Sequence, residues 1–170
     1  MLTSERFFNA LVIFILCGVL LAAYSVQFFW HEEPCPLCML QRLGMISVAS
    51  GLLLNLFFGI RMSHYGLSLL SCLMGGVVAL RQISLHVCPG FSVFGLPVLG
   101  ISLYTWSFFV FVCSILAISL LLFLYRPTKS QEVPVQQEWF SKFALMITSI
   151  VTVANIATTF FQCGFGVCVG

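Results

Sequence analysis

The chain has 170 residues, of which 61% are hydrophobic and only 7% are charged. Globular proteins carry about 25% charged residues, so this composition excludes a soluble domain and indicates an integral membrane protein. The net charge is only +2, and the basic residues are too scattered to form a patch that binds nucleic acid. No internal repeat is visible, and we predict a single integral membrane domain over residues 1–170.

Five apolar stretches are each long enough to cross a bilayer, which takes about 20 helical residues. We therefore predict an all-α, polytopic membrane helix bundle with a four-helix core and a fifth, C-terminal transmembrane helix. The predicted spans lie at about residues 7–29, 40–60, 65–87, 99–125 and 140–161. The first span lacks a small-residue cleavage pattern, which favours a retained anchor over a signal peptide.

The segments between the spans differ in character. Residues 61–64 are predicted to form a tight turn. Residues 88–97 are rich in Gly, Pro and large apolar side chains, which is typical of a loop lying in the membrane interface. Residues 126–139 form the only plainly polar linker.

Lysine and arginine predict the orientation, because they are enriched on the cytoplasmic side of membrane proteins. A cytoplasmic N-terminus places five of them inside: Arg6, Arg61, Arg126, Lys129 and Lys142. Only Arg42 and Arg81 then lie near the outer side. The same orientation puts five cysteines on the outer face, where disulfides persist: Cys35, Cys38, Cys88, Cys163 and Cys168.

A C-x-x-C motif, Cys35-Pro36-Leu37-Cys38, separates the first two spans. Two thiols at this spacing can form and break a disulfide with little backbone movement. If Pro36 lies in the first turn of the next helix, Cys35 lies at the helix N-terminus, where the dipole favours a thiolate. Arg42 lies one turn beyond Cys38 on the same face. This face is suited to holding a thiolate beside an electron acceptor.

The third span ends in a second polar group, Arg81, Gln82 and His86. Gln82 and His86 are four residues apart and share a helix face. Charged groups near a membrane are costly unless they are paired or functional. A flat apolar ring with two carbonyl oxygens would find hydrocarbon and donors here, so we predict a cofactor site formed by Arg42, Arg81, Gln82 and His86.

Other interpretations of these residues remain open. The C-x-x-C motif is also typical of half a zinc site, completed by two of four candidates: His31, Cys88, Cys163 and Cys168. Arg42 could extend to the interface as many basic side chains do, and the third-span group could do the same. The three cysteines within the spans, Cys17, Cys72 and Cys113, are predicted to be small buried apolar residues.

Small and short polar residues predict contacts between helices. A stripe on the fifth span is expected to bind neighbouring helices rather than a ligand: Thr148, Thr152, Asn155 and Thr159. Gly75, Gly76 and the Ser47-x-x-x-Gly51 pattern are expected to allow close approach of helix backbones.

With these residues together, residues 30–125 or so resemble the DsbB family of membrane disulfide-bond formation proteins. The resemblance rests on three short motifs: Pro34-Cys35-Pro36-Leu37-Cys38 followed by Gln41-Arg42, then Arg81-x-x-x-Leu85-His86, then Gly95-Leu96-Pro97. It implies a protein-dithiol:quinone oxidoreductase in the bacterial inner membrane, with its redox cysteines on the periplasmic side. Its partner would be a periplasmic thioredoxin-like, DsbA-like thiol oxidase, and its cofactor a quinone (ubiquinone or menaquinone).

The resemblance also implies roles for matching residues. Cys38 would engage the quinone, and Cys35 would exchange with a second cysteine pair. Arg42 would be associated with the quinone, and His86 would lie near the same ring. Family members commonly have four spans and two cysteines in the second outer loop, whereas that loop has only Cys88 here.

The fifth span instead brings Cys163 and Cys168 to the outer face. These two could pair with each other, or Cys88 could pair with one of them, the arrangement that the family favours. Three other functions stay open: a vitamin K epoxide reductase-like enzyme, a carrier of thiol reducing equivalents across the membrane, and a non-enzymatic scaffold with stapled loops. Thiol trapping with and without quinone would separate them.

Overall fold

The computed structural model describes residues 2–30, 35–87, 98, 100–125 and 139–164. Its helices in this part of the chain are α1 Leu2–Trp30, α2 Pro36–Phe58, α3 Met62–Val87, α4 Leu103–Leu124 and α5 Trp139–Cys163. All five are long and apolar enough to cross a membrane, which confirms the predicted all-α membrane bundle. The side on which the N-terminus lies stays a prediction. The predicted interfacial loop and most of the polar linker lie outside the described residues.

The connection between α2 and α3 runs from Gly59 to Arg61, so the turn predicted at residues 61–64 was placed too late. Gly59 has a φ of 84°, a conformation that glycine adopts without a steric penalty. The Arg61 carbonyl accepts backbone hydrogen bonds from His64 (3.2 Å) and Tyr65 (3.4 Å). These bonds make Met62 the first residue of α3.

Helix α4 begins at Leu103 rather than near residue 99. Before it, Val98 and Ile101 exchange two backbone hydrogen bonds of 3.0 and 3.1 Å across Gly100, whose φ is 78°. Ser102 occupies the N-cap position of α4 without a capping hydrogen bond from its side chain, and its carbonyl accepts the backbone N–H groups of Thr105 (3.0 Å) and Trp106 (3.1 Å). The boundary was wrong because hydropathy measures the apolar run, whereas the turn and the cap decide where the helix begins.

Helix α2 contacts all four other helices and lies at the centre of the bundle. A Cβ on Gly44 would lie 3.2 Å from the Cα of Gly75, and a Cβ on Gly75 would overlap the Phe111 ring of α4. A Cβ on Gly51 would overlap the Ser68 hydroxyl of α3. The close approach predicted at Gly51 and Gly75 is confirmed, and small residues allow it because no side chain separates the backbones.

A buried hydrogen-bond network joins α1, α2 and α3 at the end of the bundle away from the C-x-x-C motif. Asn9 donates to the Tyr65 hydroxyl (2.8 Å), and Asn55 donates to the side-chain oxygen of Asn9 (3.1 Å). The side-chain oxygen of Asn55 accepts the backbone N–H of Arg61 (3.1 Å) and lies 3.0 Å from Nδ1 of His64. Buried amides are stable here because they are hydrogen-bonded.

Helices α1 and α5 are joined by two polar contacts. The Tyr24 hydroxyl donates to Oδ1 of Asn155 (3.1 Å), and the Cys17 sulfur lies 3.6 Å from the Thr148 hydroxyl. These contacts confirm the predicted helix–helix role of the α5 stripe at two of its four positions.

The cysteines within the spans do not behave alike. Cys17 and Cys72 are buried as predicted, but Cys113 is exposed on the outward face of α4. The prediction for Cys113 was wrong because an outward face in a membrane protein is as apolar as the core. A small apolar residue therefore fits either side.

Candidate functional site

The C-x-x-C motif forms the start of α2. Pro36 occupies the first turn and Cys35 is the N-cap residue, with φ −67° and ψ 155°. The Cys35 carbonyl accepts the backbone N–H groups of Cys38 (3.0 Å) and Met39 (3.2 Å), and the Cys35 sulfur accepts the Cys38 N–H (3.2 Å). Cys35 therefore lies at a helix N-terminus. The sequence predicts this position for Cys35 if Pro36 lies in the first turn of α2.

The side chain of Gln82 from α3 lies against both sulfurs. Its Nε2 is 3.2 Å from the sulfur of Cys35 and 3.4 Å from that of Cys38. Its Oε1 accepts a hydrogen bond of 2.6 Å from Nε2 of Gln41. Gln41 and Gln82 are both fully buried. Because Gln41 holds the oxygen of the Gln82 amide, the amide nitrogen is directed at the two sulfurs.

These contacts lower the pKa of the Cys35 thiol from 9.0 to about 6. The largest cause is a hydrogen bond from the Cys38 side chain, and burial opposes it. The Cys38 backbone N–H and the Gln82 amide lower the pKa further. These contacts therefore favour the Cys35 thiolate, the form that attacks disulfides.

In the reduced protein, we expect the alkylation rate of Cys35 to have its midpoint near pH 6. The rate should fall as the pH drops through that value, because the thiol form does not react. Peptide-resolved mass spectrometry would follow Cys35 apart from the other cysteines. Cys38→Ala should move the midpoint upwards, and Gln82→Ala should move it less. A wild-type midpoint at the ordinary value of 9.0 would contradict the described contacts.

Arg42 is buried one helical turn beyond Cys38, with 8% of its surface exposed. It donates a hydrogen bond of 2.7 Å to Oε1 of Gln27, and its guanidinium carbon lies 4.7 Å from the centre of the Tyr24 ring. Both partners are neutral. Among the described residues the only carboxylate side chain is Glu5, near the other end of α1. A buried charge with neutral partners is costly and favours a functional role.

The other predicted cofactor residues lie in different directions. Nδ1 of His86 is 2.8 Å from the Gln82 carbonyl, and the His86 ring stacks on Tyr104 of α4, with centres 4.8 Å apart. Arg81 is exposed. Thus Gln82 contacts the sulfurs, Arg42 faces α1, and His86 faces α4. The roles of these residues towards a cofactor stay predictions.

The remaining predicted cysteines are mostly beyond what the structure describes. Cys163 is the last residue of α5, whereas Cys88 and Cys168 lie outside the described residues. Within the described ranges, no three His, Cys, Asp or Glu side chains form a cluster that could hold a metal ion. The zinc alternative relies on His31, Cys88, Cys163 and Cys168, so it is not decided by this part of the chain.

Sequence reasoning missed two contributors to this site, Tyr24 and Gln27, and it quoted Gln41 in a motif without giving it a role. Gln27 and Gln41 are amides inside or beside apolar spans, which is a usable signal. Tyr24 gives no such signal, because tyrosine is common near the ends of membrane helices.

Five membrane-length helices with a hydrogen-bonded dithiol at one end define a multi-pass membrane thiol protein. The family model described as "Disulfide bond formation protein DsbB" matches residues 5–93, just over half of the chain. The chain therefore belongs to the DsbB family, as its motifs predicted. The matched region includes the C-x-x-C motif, Arg42, Gln82 and His86, and it ends before α4.

Two curated relatives support this assignment. The chain is 38% identical over 85 residues to "Disulfide bond formation protein B" of Azoarcus sp. (strain BH72), covering 46% of this chain and 51% of the relative. It is 38% identical over 71 residues to "Disulfide bond formation protein B 2" of Burkholderia lata, covering 41% and 42%. The matches thus span about half the length of these relatives. No solved structure matches the chain significantly.

Proposed function

We propose that this protein is a protein-dithiol:quinone oxidoreductase that reoxidises a periplasmic, DsbA-like thiol oxidase. Family membership supports the broader role in membrane disulfide-bond formation. The observation that carries the finer proposal is the Gln82 amide within hydrogen-bond distance of both sulfurs, with the buried cation Arg42 one turn below. A redox-active pair needs its thiolates stabilised, and these groups supply that.

The residues around Arg42 fit a quinone (ubiquinone or menaquinone). The guanidinium has five N–H donors, and the hydrogen bond to Gln27 uses a donor on Nη1. The remaining donors suit a carbonyl oxygen, and the surrounding apolar helices suit a lipid-soluble ring. We assign Arg42 to that oxygen, whereas Arg81 and His86 are proposed as further contacts near the outer end of α3.

The thiols of Cys35 and Cys38 lose two electrons and two protons as the bond between their sulfurs forms. A bound quinone supplies the two-electron, two-proton acceptor that this step requires. Arg42 would stabilise negative charge on the Cys38 sulfur and on an oxygen of a bound quinone. Gln82 stabilises thiolate on either sulfur, because its amide nitrogen reaches both.

The new disulfide is then passed outwards by exchange. A thiolate of a second cysteine pair attacks the Cys35 sulfur, the bond to Cys38 breaks, and Cys38 leaves as a thiolate. The second pair is drawn from Cys88, Cys163 and Cys168, and it oxidises the partner's dithiol in the same way. The position of Cys163 at the end of α5 supports its membership of this pair.

We further propose that the C-x-x-C end of the bundle faces the periplasm of a bacterial inner membrane. Of the five described Lys and Arg residues, Arg6, Arg61 and Lys142 lie near the starts of α1, α3 and α5, at the opposite end, and Arg42 and Arg81 lie at the C-x-x-C end. That distribution agrees with cytoplasmic enrichment of Lys and Arg. The whole chain is proposed to form a single membrane domain.

Thiol trapping in quinone-free lipid tests the function. The reduced protein is mixed with ubiquinone or menaquinone, quenched with a maleimide, and mapped by mass spectrometry. We expect Cys35 and Cys38 to become protected only when quinone is present, with one quinol formed per disulfide. Protection without quinone would favour a static scaffold. Labelling of the same thiols from the cytoplasmic side of intact cells would favour a carrier, and either result would refute the proposal.

A further inference from the structure

Helix α5 lies outside the region that matches the DsbB family model, yet it packs on α1 and α2. Its two contacts with α1, Cys17 with Thr148 and Tyr24 with Asn155, have the same sequence separation of 131 residues. An equal separation at both contacts means that α1 and α5 run parallel and in register. The two contacts are seven residues apart, which is two helical turns on one face. Helix α5 is therefore held in a defined position along α1.

The contact between Tyr24 and Asn155 connects α5 with the candidate site. The Tyr24 ring lies under the Arg42 guanidinium, at 4.7 Å from its centre, and the Tyr24 hydroxyl donates to Asn155 at 3.1 Å. Tyr24, Arg42 and Asn155 are all buried. A buried hydroxyl with a partner has one preferred direction, because losing the hydrogen bond would leave it unsatisfied.

We propose that α5 is a working part of the redox site and that Asn155 is its positioning residue. Asn155 fixes the Tyr24 ring through its hydroxyl, and the ring fixes the guanidinium of Arg42. Asn155 thereby sets where Arg42 presents its N–H donors to the oxygen of the electron acceptor. The inference rests on the proposed quinone role of Arg42 and assigns a function to a helix that the family match does not include.

The other members of the α5 stripe separate this role from ordinary helix packing. The Thr152 hydroxyl donates a hydrogen bond of 2.7 Å to the Thr148 carbonyl, and the Thr159 hydroxyl donates one of 2.7 Å to the Asn155 carbonyl. Both hydroxyls therefore donate to their own helix, and neither makes a hydrogen bond with the described residues of α1. Thr152 is one turn from Asn155 and makes Thr152→Val a matched control for a polar-to-apolar change on α5.

The test is a double-mutant cycle on the full chain in lipid nanodiscs, with a short-chain quinone as the varied substrate. Asn155→Leu and Tyr24→Phe should each raise the KM for quinone about fivefold. A change of this size corresponds to the free energy of about one hydrogen bond. Because Asn155 acts through the Tyr24 hydroxyl, the double variant should be no worse than either single variant. Thr152→Val should leave KM and kcat unchanged.

Several outcomes would overturn the inference. Additive effects in the double variant would mean that Asn155 only supports packing. A wild-type KM in Tyr24→Phe, which keeps the ring and removes only the hydroxyl, would refute the coupling even if Asn155→Leu does not fold. Arg42→Ala is measured in parallel: if it loses activity while Asn155→Leu does not, the inference fails and the proposed function stands. If Arg42→Ala is also unchanged, the proposed function itself fails.

Discussion

Serine at either position of the C-x-x-C motif is expected to abolish quinone-dependent oxidation of a reduced partner. Each sulfur is half of the disulfide that carries the electrons, and a hydroxyl oxygen cannot replace it. The Gln82 amide nitrogen lies 3.2 Å from the Cys35 sulfur and 3.4 Å from the Cys38 sulfur. A serine hydroxyl at either position would therefore keep a polar partner, and the variant should still fold. Loss of activity should therefore occur in a folded protein.

The two variants should fail at different steps. Cys38→Ser keeps the Cys35 thiolate, which can attack the disulfide of the second cysteine pair, so that one sulfur of that pair binds Cys35 and the other leaves as a thiolate. No Cys38 thiol remains to break the resulting mixed disulfide. We expect this mixed disulfide to accumulate in Cys38→Ser and to be absent in Cys35→Ser, as measured by mass-spectrometric disulfide mapping after acid quenching. Cys113→Ser is the matched control, because Cys113 is exposed on α4. Near wild-type turnover in either motif variant would make the motif structural.

Alanine at Arg42 is expected to lower kcat/KM for quinone by about 100-fold, comparable with removing a donor from an oxyanion site. Lysine at the same position should recover part of the activity, because it keeps the charge but lacks the planar fork of donors. The measurement is steady-state quinone reduction at several quinone concentrations.

The fold should tolerate the Arg42→Ala change. The variant loses the hydrogen bond to Gln27, a cost of about 1 kcal/mol in stability, but it also removes a buried charge. Arg61 is an exposed arginine at the far end of the bundle. The Arg61→Ala variant therefore controls for the loss of a cation from the chain. Unchanged quinone kinetics in Arg42→Ala would remove Arg42 from the mechanism.

Composition and hydropathy were sufficient to predict five helices, because crossing a bilayer requires length and apolarity and little else. The starts of α2 and α4 were missed by four residues or so, since the carbonyls of Cys35 and Ser102 accept the first backbone hydrogen bonds of these helices, which hydropathy does not register. Cys113 was placed on the wrong face for a related reason: helices that are apolar all round do not indicate which side faces lipid.

The candidate site was predicted as residue types but not as contacts. Cys35, Cys38, Arg42 and Gln82 all came from spacing and from charges in unfavourable places. That Gln82 turns to the sulfurs, and that Arg42 lies on Tyr24 of another helix, depends on how the helices pack. Such packing is decided by pairs of residues far apart in the chain, which a single sequence does not reveal.

Asn9 and Asn55 tie α1, α2 and α3 together at the end of the bundle far from the thiols. The thiol end is joined as well, α2 to α3 by Gln41 and Gln82 and α2 to α1 by Arg42 and Gln27. Buried hydrogen bonds thus fix the alignment of these helices on both sides of the apolar middle. A slip of one helix along another would leave buried polar groups unsatisfied at both ends at once, so the position of the Gln82 amide against the two sulfurs is protected from such slippage.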